Sequence, residues 1–404
     1  MQINKDYDHI IVGAGIVGIS LGLALLERSP SKKVLIIDKE EKPGVHASGR
    51  NSGVLHAGFY YSPDSLKAKF CRLGNLELRK FCIENNLQIL ETGKVVVCQD
   101  RQDVQRLEEL YRRGIANGVN IEILDSNELE KIEPAAQTVD KFIWSPTTAV
   151  GNPKEVIKKL AEKFEQAGGR FSFNSQVEFI QKNSEVLIKT KNAIYSTNSI
   201  INSAGAYAAE LAKQVNVGKE YVCLPFLGAY KKSKLLPINP KRLVYPVPNP
   251  SNPFLGVHTT ITLNDELKIG PTAFPVIGKE QYRLIDGFKA KELFEFISSS
   301  SALIRSDSVN LLGLAKEEAL KLFTKPLIKR SKKLSNSLDS NSNWVKYPSG
   351  IRAQIINTKT KAIEMDYIVK ADKNAVHILN AVSPGWTSSL PFARWVVENQ
   401  PLLA

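Results

Sequence analysis

The apolar residues of this chain are grouped in short runs whose spacing alternates between strand-like and helix-like. Residues 10–12 form a run typical of a buried strand, and a helical apolar run follows at 19–26. A second strand-like run occupies residues 33–37. Strand, helix and strand in this order predict a parallel βαβ unit, so we expect an α/β fold.

The middle of the chain is predicted to alternate helices with strands, without an internal repeat. Helical spacing of apolar residues covers three segments, at 64–86, 103–117 and 153–168. Strand-like runs occupy residues 92–98, 170–173, 177–181 and 186–190, and residues 199–207 form a buried strand that opens into a small-residue turn and a helix. Residues 221–285 alternate strand patterns with turns, which predicts an antiparallel sheet.

The turn between the first strand and the first helix has the pattern G-x-G-x-x-G. Gly13 permits the tight turn, Gly15 lets the backbone approach a phosphate, and Gly18 lets helix and strand pack closely. Asp38 ends the second strand, where an acid would bind a ribose hydroxyl. The motif predicts a dinucleotide pyrophosphate at the helix N-terminus, and the alternative is a plain structural turn. The residues expected to contact the dinucleotide here are Gly13, Gly15, Ile16, Val17, Gly18, Asp38 and Lys39.

Residues 46–61 form a long connection of small and polar residues that contains two histidines. This composition does not suit an apolar core, and the segment is longer than a simple turn. We expect it to lie over the cofactor with His56 nearer to the reacting atoms, and an ordinary polar connection is the alternative. The binding residues assigned to this loop are Ser48, Gly49, Arg50, Asn51 and Ser52.

The composition is that of a globular protein with an excess of positive charge. The chain has 404 residues, of which 43% are hydrophobic, and a formal net charge of +13. Its length suits two domains, and its charge favours an anionic substrate or a membrane surface. Four cysteines without metal-binding spacing predict buried thiols in a reducing compartment. We recognise no targeting signal and no apolar run long enough to span a bilayer, so we expect a cytoplasmic protein, with peripheral membrane contact left open.

The segment 289–343 carries much of the excess charge and is expected to form two or three helices. Residues 289–334 contain ten Lys or Arg and five Asp or Glu, a difference of +5 out of the chain's +13. A solvated surface and contact with anionic lipid both fit this segment. Nucleic acid is not expected as a partner, because aromatic residues are not interleaved with these charges.

Several segments together resemble one known family. The chain is similar to FAD-dependent oxidoreductases of the D-amino acid oxidase superfamily, and within it most similar to the L-2-hydroxyglutarate dehydrogenase/oxidase family. The most specific segment is A-S-G-R-N-S-G-V-L-H-A-G-F-Y-Y-S-P-D-S-L-K-A at 47–68. The others are G-A-G-I-V-G at 13–18, Y-P-V-P at 245–248, P-F-L-G-V-H-T at 253–259, S-G-I-R-A-Q at 349–354 and N-A-V-S-P-G-W-T-S-S-L at 380–390.

The resemblance implies a non-covalent or at least tightly held FAD that receives a hydride from a substrate C–H at flavin N5. It implies a Rossmann-like FAD-binding domain of the glutathione-reductase type, assembled from residues 1–90, 150–218 and 346–404. An α+β substrate domain with an antiparallel sheet would comprise residues 91–149 and 219–345. The implied substrate is a small anionic L-2-hydroxy dicarboxylic acid, foremost L-2-hydroxyglutarate. The electron acceptor would be oxygen or a membrane quinone, and the sequence does not distinguish the two.

The resemblance also implies further cofactor contacts. Asp38 would hold the adenosine ribose, and a final helix beginning near Thr387 would direct its N–H groups at the pyrimidine oxygens of the flavin. The residues assigned to the cofactor on this basis are Val177, Asn202, Ser203, Ala204, Gly205, Pro384, Gly385, Thr387, Ser388, Ser389 and Leu390.

Three residues are assigned to the reaction itself. Arg352 stands where related oxidases place an arginine for the substrate carboxylate, next to the flavin, and its planar guanidinium would hold that group by two parallel hydrogen bonds. His56 and His258 are the candidate bases for the hydroxyl proton, with His56 ranked first because small residues flank it. We interpret His9 and His377 as structural strand residues.

One segment departs from the family pattern. Leu227 and Ala229 stand where charged residues are expected, which raises the question of a different 2-hydroxy acid, and Lys231 and Lys232 could compensate. The alternatives left open are an amino-acid or amine oxidase on the same scaffold, a catalytically idle flavoprotein that docks on membranes, and an NAD-binding dehydrogenase.

Overall fold

The computed structural model of the chain describes residues 3–182, 185–234, 236–249, 252–306, 310–338 and 343–403. The segment 289–343 is therefore described only in part. The strands in chain order are β1 Ile3–Val12, β2 Val34–Ile37, β3 Val54–Leu55, β4 Ile89–Leu90, β5 Lys94–Val97, β6 Glu122–Asp125, β7 Lys141–Ser145, β8 Ala149–Gly151, β9 Arg170–Ser172, β10 Val177–Lys182, β11 Val186–Thr190, β12 Ile194–Asn202, β13 Tyr221–Lys234, β14 Leu243–Pro246, β15 His258–Ile261, β16 Glu266–Gly270, β17 Phe274–Pro275, β18 Val345–Asn357, β19 Ala362–Ile363, β20 Ile368–Asp372 and β21 Ala375–Asn380. The helices are α1 Ile16–Arg28, α2 Leu66–Glu84, α3 Arg101–Ala116, α4 Ser126–Ile132, α5 Pro153–Gln166, α6 Ala208–Gln214, α7 Ala290–Ile304, α8 Leu311–Lys321, α9 Thr324–Ser331 and α10 Ser389–Asn399.

The first sheet has eight strands and a parallel centre. Its main path runs β10, β11, β12, β1, β2, β9, and β21 joins β12 while β20 pairs with β21. β1 lies between β12 and β2, parallel to both, with Ile11 opposite Ile201 on one side and Ile36 on the other. A strand paired on both sides and covered on both faces has to be apolar throughout, which explains the unbroken run at 10–12.

The helix after the glycine-rich turn is buried on more than one side. α1 packs against α10 and α5, and Leu21 and Ile19 have no exposed surface. At Gly22 an added Cβ would lie 2.6 Å from the Phe164 ring of α5, so only glycine allows this close packing. The predicted βαβ unit is confirmed, and with it the mixed α/β fold class.

The second large sheet has ten strands and is mostly antiparallel. Its order is β19, β18, β13, β16, β15, β14, β5, β7, β6, with β17 on β13. The longest pairing joins β13 to β18, where Phe226 lies opposite Arg352 and Leu224 opposite Gln354. A third, small sheet has three strands in the order β3, β8, β4. The antiparallel sheet predicted for 221–285 is therefore part of a larger one.

Several details differ from the sequence-based expectations. β18 belongs to the ten-stranded sheet, although residues 346–404 are assigned above to the FAD-binding domain. The final helix does agree with its predicted start near Thr387, because α10 begins at Ser389 with Ser388 as its N-cap. α4 has no counterpart among the predicted elements, because its seven residues are too few for a helical period to stand out. The described part of 289–343 contains three helices, α7, α8 and α9.

The four cysteines are free and buried, as predicted: Cys71, Cys82, Cys98 and Cys223. None of the helices in the described ranges combines the length and apolarity needed to cross a membrane.

Candidate active site

A cavity of about 670 Å³ runs from the first βαβ turn to the ten-stranded sheet. At one end its wall is formed by the glycine-rich turn and the end of β2, and at the other by residues of β13, β14, β15 and β18. A cavity that begins at the carboxyl ends of parallel strands and ends on a second sheet suits a long ligand with a reacting group at its far end.

In the glycine-rich turn, Gly15 is the glycine with open space beside it, whereas Gly13 and Gly18 are closely packed. Gly13 has φ +107°, and an added Cβ would lie 2.6 Å from the Ser203 carbonyl oxygen. At Gly18 the Cβ would lie 2.0 Å from the Gly13 oxygen, so this glycine serves helix–strand packing. At Gly15 the one atom within 4 Å is the Ser48 hydroxyl at 3.0 Å. Gly13, Gly15, Ile16 and Val17 lie at the cavity wall, whereas Gly18 lies behind it.

Asp38 and its neighbours form a charged rim at this end. The Asp38 carboxylate accepts hydrogen bonds from the Ala14 N–H at 2.6 Å and the Glu40 N–H at 2.9 Å. A carboxylate has about four acceptor sites, so two remain for a ribose hydroxyl. Lys39 pairs with Glu40 and Glu280, and these hydrogen bonds and charges outweigh burial and raise the Lys39 pKa. Both Asp38 and Lys39 line the cavity.

The loop at 46–52 folds over the same cavity. The Ser48 hydroxyl accepts from the Ile16 N–H at the start of α1, at 3.0 Å. The Arg50 guanidinium donates from Nε to the Val45 oxygen at 2.9 Å and lies 4.0 Å from the centroid of the Tyr282 ring. The predicted residues of this loop at the cavity wall are Ser48, Arg50, Asn51 and Ser52. Gly49 is not among them, because it packs against the Gly44 backbone.

Two further chain segments complete the wall. Val177, Ser203, Ala204 and Gly205 line it next to the turn. Pro384, Gly385 and Thr387 line it before α10, close to His56, whose backbone N–H donates to the Thr387 hydroxyl at 3.3 Å. Asn202 lies deeper, with its side-chain amide donating to the Ala208 oxygen at 2.7 Å and touching His377 at 3.1 Å. Ser388, Ser389 and Leu390 likewise lie behind the wall, because the helix turns away from the cavity after Thr387.

Arg352 is a half-buried charge at the far end of the cavity. Its Nη1 donates to the Thr272 oxygen at 3.0 Å, and its guanidinium lies 5.4 Å from the centroid of the Phe254 ring. Burial lowers its pKa, yet a guanidinium stays charged at any physiological pH. Among the described residues it forms no ion pair, and the one carboxylate that acts on its pKa, Glu318, is itself paired with Lys321. An anion in the cavity could therefore pair with it directly.

Both candidate bases lie at this end. Burial, with a contribution from the Lys94 charge, lowers the pKa of His56 to about 3, and its Nδ1 has no hydrogen-bond partner within the described ranges. His258 hydrogen-bonds through Nδ1 to the Gly256 oxygen at 2.9 Å and stacks on Tyr245 with ring centroids 3.8 Å apart. The Gly256 contact requires the proton on Nδ1, which leaves Nε2 of His258 as the acceptor. His9, bonded to Ser199 at 2.6 Å, and the buried His377 are away from the cavity wall.

Comparisons with known proteins agree with this arrangement. The family model described as FAD dependent oxidoreductase matches residues 8–399. The chain belongs to this family. An L-2-hydroxyglutarate dehydrogenase of Indibacter alkaliphilus is 35% identical over 400 residues, covering 97% of this chain and 98% of that protein. The Salmonella houtenae L-2-hydroxyglutarate dehydrogenase is 32% identical over 398 residues, covering 97% and 92%. An FAD-bound L-alpha-glycerophosphate oxidase from Mycoplasma pneumoniae has the same fold, with a TM-score of 0.78, 24% identity, and coverage of 98% and 94%.

The residues of this chain fit the FAD that the family binds. The open position at Gly15 lies where a phosphate would meet the N-terminus of α1, whose first N–H groups and dipole attract an anion. Asp38 offers the remaining carboxylate lone pairs to a ribose. The Pro384–Thr387 segment leads into α10, so backbone N–H groups are available at the flavin end. The cofactor predicted from the sequence is confirmed, and its individual contacts remain predictions.

Several residues of the site escape the sequence analysis. Tyr230 and Tyr245 line the cavity beside Arg352 and His258, although a tyrosine in a strand gives no sign of its direction. Lys94 lies fully buried behind them. The sequence signal that could have identified it is a lysine at the start of an otherwise apolar strand, Lys94–Val97.

The departure at 227 and 229 does not change the cavity wall. Gly228 and Tyr230 line the cavity, and Leu227 and Ala229 do not. Side chains of a strand alternate between its two faces, and Leu227 packs with Val276 and Ile351 instead. Lys232 pairs with Glu266 at 2.6 Å away from the cavity. The two substitutions therefore remove no charge from the part of the wall that holds Arg352.

Proposed function

We propose that the protein oxidises an L-2-hydroxy dicarboxylic acid, foremost L-2-hydroxyglutarate to 2-oxoglutarate, by hydride transfer to FAD. Relatives with this name that match nearly the full length support the reaction class. The observation that carries the proposal is Arg352, a half-buried cation that has no ion-pair partner among the described residues and lies at the end of the cavity opposite the glycine-rich turn.

The side chains at this end suit oxidation of a hydroxy acid. FAD, when bound, supplies the acceptor for the hydride that leaves the carbinol carbon. Arg352 would hold the C1 carboxylate, which fixes the orientation of the neighbouring carbon. His56 or His258 would take the hydroxyl proton, and both are neutral at pH 7 because burial lowers the pKa of each to about 3.

The proposal is tested by mixing the purified flavoprotein with candidate acids under anaerobic conditions. We expect L-2-hydroxyglutarate to bleach the visible flavin band, while its D enantiomer and the amino acids do not. Rapid bleaching by amino acids alone would establish the amino-acid oxidase alternative. Stable yellow protein with every acid would establish the catalytically idle one.

Arg352→Lys should weaken substrate binding in this assay. Lysine keeps the charge but loses the planar pair of donors, so the apparent affinity should fall by about 1.5–3 kcal/mol. A matched control is Arg242→Lys, because Arg242 also donates to one carbonyl oxygen, at 3.0 Å, and lies over an aromatic ring, but away from the cavity. Equal affinities in wild type and Arg352→Lys would mean that the carboxylate binds elsewhere.

We further propose that the enzyme contacts an anionic membrane surface, which would suit a quinone as acceptor over oxygen. Ile285 is 90% and Phe294 75% exposed, and four more exposed apolar side chains lie between residues 284 and 297: Leu284, Phe288, Leu293 and Ile297. Arg283, Lys289 and Lys291 are exposed among them, and Lys291 pairs with Glu210. Glu292 caps α7, and Glu295 pairs with Lys279 at 2.8 Å. The third acid, Asp286, is half-exposed and accepts from the Arg283 N–H at 2.9 Å. Apolar side chains ringed by basic ones suit an anionic lipid interface.

Vesicle sedimentation tests this surface. Wild type should sediment with vesicles that contain anionic lipid and less with neutral ones, and salt should weaken the binding. The double variant Ile285→Ser/Phe294→Ser should stay in the supernatant. Ile83→Ser, at a residue 61% exposed on α2, is the control that should still bind. Membrane contact through this surface is refuted if the double variant sediments with vesicles as wild type does. It is also refuted if the double substitution abolishes self-association of the protein but not vesicle binding.

A further inference from the structure

Lys94 is a fully buried lysine enclosed by aromatic rings. Its Nζ lies 4.3 Å from the ring centroid of Phe59, 4.5 Å from that of Tyr60 and 4.9 Å from that of Tyr245. The side chain has no exposed surface, and Nζ has no hydrogen-bond partner among the described residues. The π faces attract a cation, but they do not replace the hydrogen bonds that the ammonium loses with water.

The other buried lysines all have a polar partner. Lys268 donates to the Ser52 oxygen at 2.9 Å. Lys279 and Lys321 form ion pairs with glutamates at 2.7–2.9 Å. Lys67 lies close enough to Asp366 for that carboxylate to raise its pKa against the effect of burial. Lys94 has no such acid among the described residues, and burial lowers its pKa to about 7. About half of the Lys94 side chains are therefore charged at pH 7, and an anion bound nearby would stabilise the charged form.

Lys94 is one aromatic ring away from the reacting end of the cavity. Tyr245 lines the cavity, and His258 covers one face of its ring at 3.8 Å. The Lys94 ammonium therefore approaches Tyr245 from another side. The charges of Lys94 and Arg352 both act on His258 and lower its pKa. Within the described ranges neither cation has an ion-pair partner, although the Glu318 charge acts on Arg352 from a distance. Lys94 and Arg352 thus act on the same histidine from two positions.

We propose that Lys94 is a specificity-determining residue, whose charge, acting across the Tyr245 ring, stabilises the distal carboxylate of a dicarboxylic substrate while Arg352 holds the first. The inference rests on the proposed oxidation of a 2-hydroxy dicarboxylic acid. A dicarboxylate is a dianion, and Arg352 supplies one of the two positive charges that would balance it. Coulomb attraction acts through an intervening ring, because the protein interior screens charges less than water does. Lys94 therefore positions the substrate through its field and contacts neither the reacting atoms nor the flavin in this arrangement.

Lys94→Met separates this role from a structural one. Replacing a buried, unpaired charge with an apolar side chain of similar length should leave thermal stability equal or higher, and FAD should stay bound. The affinity for L-2-hydroxyglutarate, measured from anaerobic flavin reduction, should fall about 10- to 100-fold. The affinity for L-2-hydroxyvalerate, which has the same five carbons without the distal carboxylate, should change little. Lys94→Arg should keep part of the preference for the dicarboxylate.

Lys67→Met is the matched control, because Lys67 is also buried but faces a carboxylate of the chain. It should leave the ratio of the two affinities unchanged. The proposal is overturned if wild type is reduced by L-2-hydroxyglutarate but Lys94→Met has the same ratio of affinities for the two acids as wild type. This holds whether both affinities fall equally or neither changes. If wild type itself is not reduced by that acid, the proposed function fails, and the role of Lys94 fails with it. Lys94→Gln gives the same test if the methionine variant does not fold.

Discussion

Gly15→Val is expected to yield folded but colourless protein. The valine side chain would enter the space where the pyrophosphate meets the first N–H groups of α1, so FAD should be lost. The protein itself has room, because the one neighbour of an added Cβ is the Ser48 hydroxyl at 3.0 Å, which can rotate. The ratio of flavin to protein absorbance measures the cofactor, and circular dichroism measures the fold.

Two other glycines make this test specific. Gly287→Val should keep a full flavin spectrum, since nothing lies within 4 Å of its added Cβ. Gly18→Ala should instead destabilise the fold, because its Cβ would lie 2.0 Å from the Gly13 oxygen. A full flavin spectrum in Gly15→Val would show that the pyrophosphate does not lie at this turn.

The parts of the site that the sequence predicts are those whose signals are local. The glycine turn, the apolar strands on either side and Asp38 lie within 30 residues of one another, and each constrains the same backbone path. The loop at 46–52 is predicted for a similar reason, because its composition excludes a core position. Ser48, Arg50, Asn51 and Ser52 do line the cavity, whereas the fifth predicted residue, Gly49, serves backbone packing.

The parts that the sequence does not predict depend on pairing between distant strands. β18 adds to β13 across more than 100 residues, and nothing in its own pattern distinguishes this sheet from the other. The direction of each side chain at the cavity follows from that register. It turns Gly228 and Tyr230 towards the cavity and Leu227 away from it, so an apparent departure from the family pattern has no consequence at the wall.

Charge at the reacting end is likewise a property of the assembled fold. Arg352 comes from β18, Lys94 from β5 and the two histidines from β15 and the loop after β3. Each one alone resembles an ordinary strand or loop residue. Together they form a site with a surplus of positive charge and with two neutral imidazoles, which suits an anionic substrate that has to lose a proton.

His56→Ala should slow anaerobic flavin reduction by about 10²–10⁴-fold, the usual contribution of one acid–base group. The hydroxyl proton has to leave as the hydride departs, and without the imidazole no proton acceptor remains at that position. FAD should stay bound, because the change lies at the far end of the cavity from the glycine turn. Stopped-flow measurement of the flavin band under anaerobic conditions gives the rate.

The pH dependence follows from the pKa of His56, which burial and then the Lys94 charge lower to about 3. The folded protein therefore keeps a neutral, proton-accepting imidazole between pH 8 and 5, and His56 should cause no loss of rate there. The unfolded chain has a pKa near 6.5 and binds the proton more readily, so His56 destabilises the fold as pH falls below that value. His56→Ala should remove this contribution and flatten the fall in stability.

His258→Ala decides between the two histidines. Small neighbours favour His56 as the base, but the fixed tautomer of His258 leaves its Nε2 free to accept a proton. If His258→Ala is slow while His56→Ala reduces at the wild-type rate, the histidine mechanism holds with the other residue as base. If both variants are fast, no histidine takes the proton. A substrate that needs no base, such as a neutral amine, would then fit the cavity better than a hydroxy acid.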